Sequence, residues 1–119
     1  MNEEAKARWG GTDAYREFET RAAGKSDEAL ARDGEGLMTV LARFGELQTL
    51  PADAPEVRAQ VRALQDYVTA HFYTCTNQIL AGLGQLYAAD GEFTQNIDAA
   101  GGEGTARFAA EAIAVYCGR

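Results

Sequence analysis

The stretch Leu37-Met38-Thr39-Val40-Leu41-Ala42-Arg43-Phe44-Gly45-Glu46-Leu47 decides the fold class. Its large apolar residues Leu37, Val40, Leu41, Phe44 and Leu47 recur at i, i+3, i+4, i+7 and i+10. That spacing lays them along one stripe of an α-helix, whereas a strand would need alternation at a period of two. Upstream, Ser26 supplies an N-cap, and Asp27 and Glu28 place negative charge in the first turn, near the positive end of the helix dipole. The spacing predicts a helix over 26–49. Gly34 and Gly36 each cost it about 1 kcal/mol relative to Ala, which points to a close helix contact, a bend or a frayed first half.

The same period continues outward. Pro51 and Pro55, the only two prolines, sit in one junction, and Asp53 followed by Glu56 has capping-box spacing. A second helix is expected over 54–73, burying Val57, Val61, Leu64, Val68 and Phe72. Thr76 caps a third that carries Ile79, Leu80, Leu83, Leu86 and Tyr87. Asp90-Gly91 marks a turn, Phe93 to Ala99 a short helix, and Gly101-Gly102-Glu103-Gly104 a loop. The last helix, 105–117, presents Phe108, Ala112, Ile113 and Tyr116. Toward the N-terminus, Thr12 or Asp13 caps a helix through Ala22 that carries Tyr15 and Phe18, and Trp9 is the single large anchor of the segment before it. With no alternating pattern and no internal repeat, the expectation is all-α and a single domain.

Composition narrows the function classes. The 119 residues carry 11 Lys and Arg against 18 Asp and Glu, a net charge of -7. Residues 1–50 hold 7 basic and 10 acidic side chains and residues 51–119 hold 4 and 8, so neither half offers the basic surface that nucleic-acid contact requires. No run of about 18 apolar residues exists for a membrane span. The charged start, Met1 to Trp9, lacks the apolar stretch of a signal peptide. A cytoplasmic location is therefore expected, with Cys75 and Cys117 as reduced thiols.

Enzyme signals are poor, and no catalytic residue, metal or cofactor is assigned. His71 is the only histidine. With Cys75 at i+4 it could offer two metal ligands on one helical face, but a structural zinc site needs four. A Cys-His nucleophilic pair lacks an evident oxyanion hole or orienting group. Cys75 at a helix N-terminus could have a lowered pKa and be reactive; the plainer alternative is a small buried hydrophobe. Gly82-Leu83-Gly84 lies inside an apolar helix rather than between a strand and a helix, so it reads as close packing or a pocket wall and not as a phosphate loop. The aromatics Tyr67, Phe72 and Tyr73 fit either a core or an aromatic-lined cleft.

Four longer strings are specific together. Arg8-Trp9-Gly10-Gly11-Thr12-Asp13-Ala14-Tyr15 resembles the opening of the TipAS antibiotic-recognition domain. Phe72-Tyr73-Thr74-Cys75-Thr76, with Gly82-Leu83-Gly84-Gln85-Leu86-Tyr87 and Asp90-Gly91-Glu92-Phe93, is similar to that family's centre. Asn96-Ile97-Asp98-Ala99-Ala100 follows, and then Gly101-Gly102-Glu103-Gly104-Thr105-Ala106 with Ala112-Ile113 and Tyr116-Cys117. The resemblance covers essentially the whole chain, in order.

It implies a globin-like helical bundle without haem, in which an N-terminal lid-like segment, 1–25, is mobile and closes over a ligand-binding core, 26–119. It implies bulky, mostly apolar macrocyclic antibiotics, thiopeptides or multidrug-like compounds, as ligands. The domain would act as the effector-sensing half of a MerR-type transcriptional regulator, with the DNA-binding domain upstream, or as a free drug-sequestering protein. Helix faces and motif positions nominate Tyr67, His71, Cys75, Ile79, Gly82, Leu86, Tyr87 and Phe93 as ligand contacts, with Trp9 and Tyr15 from the lid. In a thiopeptide-binding member, the resemblance places a ligand-reactive cysteine where this chain has Gly82, so binding is expected to be non-covalent. The alternatives are an apolar groove receiving a partner helix and a thiol-dependent enzyme.

Overall fold

Ser26 and Thr76 start their helices as their chemistry dictates. Each side-chain oxygen accepts from the backbone N–H three residues on, Ala29 at 3.1 Å and Ile79 at 3.2 Å, satisfying donors that the first turn leaves without partners. The structure, a computed structural model, describes residues 13–118, with side chains from Arg16 onward. Among these residues there are six α-helices and no strand: α1 (Asp13–Ala23), α2 (Asp27–Ala42), α3 (Pro55–His71), α4 (Asn77–Tyr87), α5 (Glu92–Gly101) and α6 (Thr105–Tyr116). None is long and apolar enough to cross a membrane.

The Leu37–Leu47 stripe faces the core, with Leu41 and Phe44 inaccessible to solvent and Leu37, Val40 and Leu47 partly buried, but it does not form one helix to residue 49. After Ala42 the chain tightens into a 3-10 turn, Arg43–Leu47. Gly45 and Gly101 explain the tightening: a side chain on Gly45 would collide with the Gly101 carbonyl, and one on Gly101 would stand 2.8 Å from the Ala42 carbonyl oxygen. The two glycines let the end of α2 press directly on the end of α5.

The junction also differs from expectation. Asp53 and Glu56 form no capping box; the N-cap is Ala54, in extended conformation and without a side-chain bond, and Pro55 occupies the first helical position. Proline's missing N–H costs nothing there, and its fixed φ suits the helix start.

Helix α6 is the centre of the bundle, packed against α2, α3, α4, α5 and the 3-10 turn. Its buried side chains are small, Thr105, Ala106, Ala109 and Ala112, with Ile113, so its neighbours come close. Gly84 of α4 is one such approach, where a Cβ would lie 3.1 Å from Ile113 Cγ2. Gly104, the N-cap of α6, has no side chain to cap it; Asp98 of α5 substitutes, its Oδ1 accepting from the Ala106 N–H at 2.8 Å.

Helix α3 ends at His71, one turn short of the position that would put Cys75 on its surface. The Phe72 and Tyr73 N–H groups both bond back to the Val68 carbonyl, at 2.8 and 3.1 Å, and the chain turns. His71 and Cys75 therefore share no helical face. No cluster of three metal-ligating side chains occurs among the described residues.

Candidate functional site

Three side chains from the N-terminal part of the chain grip the end of α3. Glu17 accepts from the Thr74 backbone N–H at 2.8 Å and its other oxygen lies 3.1 Å from the Thr74 hydroxyl. Arg21 pairs with Glu17 at 2.6 Å and donates to the Thr69 carbonyl at 2.6 Å. Lys25, in the α1–α2 link, donates to the His71 carbonyl at 2.7 Å and pairs with Asp33 of α2. These contacts tie two pieces of chain that lie nearly fifty residues or more apart. Phe18 adds an apolar contact, its ring centroid 6.4 Å from that of Phe72.

Asp33, only 9% exposed, is the hub. Besides Lys25 it meets His71 Nδ1 at 3.1 Å, and its backbone carbonyl accepts from the Tyr67 hydroxyl at 2.8 Å. The Lys25 hydrogen bond, helped by the Lys25 charge, holds its carboxyl below the usual range against the opposing effect of burial. The Thr74 backbone N–H, with Arg21, does the same for Glu17. Tyr67 stacks on His71, with ring centroids 4.2 Å apart, and lies 6.3 Å from Phe72. A side chain on Gly36 would collide with the Tyr67 hydroxyl, so this glycine is what lets the ring cross α2. Gly34 has no such neighbour.

A second surface runs along α4. Leu80, Gly84 and Tyr87 face the core at i, i+4 and i+7, leaving Ile79 and Leu83 half-buried beside them and Gly82 and Leu86 outside. Leu86 is 46% and Phe93 38% exposed, the two large hydrophobic side chains most open to solvent among the described residues. Phe93 stands against Tyr87 at 5.6 Å between centroids. Nothing lies within 4 Å of where a Gly82 side chain would begin, so this glycine serves no internal packing.

The residues nominated from sequence thus separate into groups. Tyr67 and His71 form an aromatic shelf, and Ile79, Gly82 and Leu86 lie along the outer side of α4, with Phe93 at the start of α5 against Tyr87. Tyr87 and Cys75, 1% and 4% exposed, lie beneath, in the core. Trp9 and the side chain of Tyr15 lie outside the described residues. The reactive reading of Cys75 is overturned: burial pushes its thiol up to about 11, although it immediately precedes the Thr76 cap. Tyr73, buried beside it, is pushed up to about 12, and burial raises Tyr87 too, with Tyr73 and Cys75 adding their charges.

Sequence reasoning missed Glu17, Arg21, Lys25 and Asp33. The i, i+4 spacing of Glu17 and Arg21 was a visible signal; the Lys25–Asp33–His71 grouping had none, because it is made by the turn of the chain. On the opposite side of α4, a groove of about 490 Å³ runs between α4 and α6, lined by small residues such as Ala81, Ala88 and Ala110 and by Arg107 and Glu111.

Known proteins resemble the chain at both levels. The structure of TipAS from Streptomyces lividans in complex with nosiheptide superposes with a TM-score of 0.80 and 31% identity, covering 97% of this chain and 81% of that one. The two share an all-helical, globin-like fold. The HTH-type transcriptional activator TipA of Streptomyces coelicolor is 32% identical over 100 residues, 82% of this chain and 40% of the activator. The HTH-type transcriptional activator mta of Bacillus subtilis is 45% identical over 67 residues, 56% of this chain and 25% of the activator. The chain thus spans well under half of the curated relatives it matches. The pattern of the TipAS antibiotic-recognition domain runs from residue 1 to residue 116, and the chain belongs to that family.

Proposed function

We propose that this chain binds bulky, mostly apolar macrocyclic antibiotics of the thiopeptide kind, without covalent attachment and without catalysing a reaction. The observation that carries the reading is the whole-length match, 97% of the chain, to a TipAS structure solved with nosiheptide. The surface chemistry suits such a ligand. An aromatic shelf and an exposed apolar strip offer flat, dispersive contact, and a few polar groups beside them fix orientation. Residues 1–25, including Trp9 and Tyr15, act as the lid over residues 26–119.

Non-covalent binding follows from the thiols. Gly82 removes the nucleophile from the exposed outer side of α4; Cys75 is buried and shifted toward the unreactive protonated form, and Cys117, half-buried beside the α4–α6 groove, is also raised by burial. Joined to a helix-turn-helix domain, as in the activators it resembles, the chain senses the drug; by itself, it sequesters it. The acidic balance of -7 leaves DNA contact to such a partner domain.

A thermal-shift titration with nosiheptide, followed by intact-mass measurement, tests this. A ligand that binds only the native state raises the melting temperature, by about 2.7 kcal/mol of stabilisation at a hundredfold excess over Kd. The expected result is a concentration-dependent rise with the protein mass unchanged after denaturation. No rise with nosiheptide or other thiopeptides contradicts the binding reading, and a mass increase of one ligand contradicts the non-covalent one.

A further inference from the structure

The aromatic shelf contains one polar nitrogen that the fold leaves for a ligand. His71 Nδ1 lies 3.1 Å from Asp33 Oδ1, while Lys25 Nζ holds the other carboxylate oxygen, Oδ2. An ionised carboxylate only accepts hydrogen bonds, so in the neutral imidazole Nδ1 carries the proton and donates it to Asp33. The other nitrogen, Nε2, is then a bare acceptor, since the bond made at one ring nitrogen sets the state of the other. No hydrogen bond to Nε2 occurs among the described residues, and the His71 side chain is 41% exposed. Around it stand Tyr67, stacked at 4.2 Å, and Phe72 beside Tyr67.

We propose that His71 Nε2 is the specificity-determining acceptor of this surface, taking a hydrogen bond from an amide N–H or hydroxyl of the bound antibiotic, and that Asp33 is the positioning residue that fixes its tautomer. The inference rests on the antibiotic-binding reading for the ligand, and on this chain's own geometry for the tautomer. It distinguishes ligands by chemistry: a macrocycle presenting a donor at the shelf is bound better than one of the same size and hydrophobicity that presents an acceptor or a methyl group, because an unmet polar group in a desolvated contact is costly.

Asp33→Asn tests it sharply. Lys25 still requires an oxygen, so the amide oxygen turns to Lys25 and the amide NH2 faces His71. Nδ1 must then accept, and the proton moves to Nε2, reversing its polarity. Because the chain has one histidine, the ring 15N shifts need no assignment. They are read at a pH raised until they stop changing, so that the neutral ring is observed. The expected result is a ring protonated on Nδ1 in the wild type and on Nε2 in D33N, with about tenfold weaker nosiheptide binding in D33N and in His71→Phe, the size of one lost hydrogen bond. In the H71F background, D33N costs nothing more, because Asp33 acts through the imidazole.

A wild-type ring protonated on Nε2 overturns the proposal alone, as does an equal D33N loss with and without His71. A wild type with the expected tautomer that takes up no nosiheptide overturns the antibiotic reading and the ligand half of this proposal with it.

Discussion

The α4–α6 contact and the α1–α3 contact are built from opposite materials. Between α4 and α6 the helices meet over glycine and alanine, with Gly84 against Ile113 and Leu80, Ala109, Ala112 and Ile113 out of reach of solvent. No long polar side chain is needed there, and the contact is held by close packing and apolar burial. From α1 and the α1–α2 link, Glu17, Arg21 and Lys25 reach across to Thr74, Thr69 and His71 at the end of α3, largely onto backbone atoms, and Phe18 on Phe72 adds an aromatic contact. A core contact of the first kind unfolds with the whole domain. A clamp of the second kind can open locally, since each bond has water as a ready replacement and nets only about 1 kcal/mol. The movable end is also the end that carries the aromatic shelf.

This contrast can be broken at four places, taken from the largest effect downward. Phe44→Ala, at a fully buried position under α6, is expected to destabilise by about 3–5 kcal/mol, read as a lower urea midpoint. A loss below about 1 kcal/mol would mean that the core around Phe44 is loosely packed. Arg21→Ala removes the bond to the Thr69 carbonyl and is expected to cost about 1 kcal/mol. Amide hydrogen exchange should quicken at α1 and Thr74 and leave α4 and α6 unchanged. Equal quickening everywhere would erase the distinction between the two regions.

Acid provides the third. Asp33 and Glu17 have folded-state pKa values below their unfolded ones. Their contribution is therefore complete above the ordinary carboxylate pKa, about 4, and is lost as pH falls through the depressed folded values. Below about pH 4, exchange at Thr74 should quicken before exchange in α6 does; simultaneous loss contradicts the assignment. The smallest effect is expected at Arg32→Ala. It breaks an exposed pair with Glu28, both side chains more than 70% exposed, and should change stability by less than about 0.5 kcal/mol.

The two regions also differ in how far they were legible in the sequence. Helix period and the Ser26 and Thr76 caps were readable because each depends on neighbours within a turn or two, whereas Gly84 is open between close packing and a pocket wall until Ile113, 29 residues on, decides for packing. The 3-10 break after Ala42 was not readable, since it exists to let Gly45 meet Gly101, 56 residues on. The capping box at Asp53 failed because Pro55 claimed the first helical position. Of the nominated residues, Tyr67, His71 and the outer side of α4 lie toward solvent, whereas Tyr87 and Cys75 fall on buried sides that periodicity alone does not separate from a pocket wall. Asp33 was invisible as a hub; one acid in an amphipathic helix has no local mark of a partner 38 residues away. For Gly36 the sequence leaves a close contact, a bend or a frayed first half, and the Tyr67 ring decides for contact.

Gly36→Ala separates stability from function at this end. The helix gains about 1 kcal/mol of propensity while the new methyl group displaces the Tyr67 hydroxyl from the Asp33 carbonyl. Stability is expected to stay within about 1 kcal/mol of the wild type, and nosiheptide affinity to fall.

The most direct test of the central claim is an amide 1H–15N spectrum of the protein titrated with nosiheptide. Shifts are expected to concentrate in 67–75 at the end of α3 and in 79–93, from α4 into the start of α5, with α1 becoming more protected. Shifts confined to the α4–α6 groove around Ala88, Arg107 and Ala114, or no shifts at all, would contradict it.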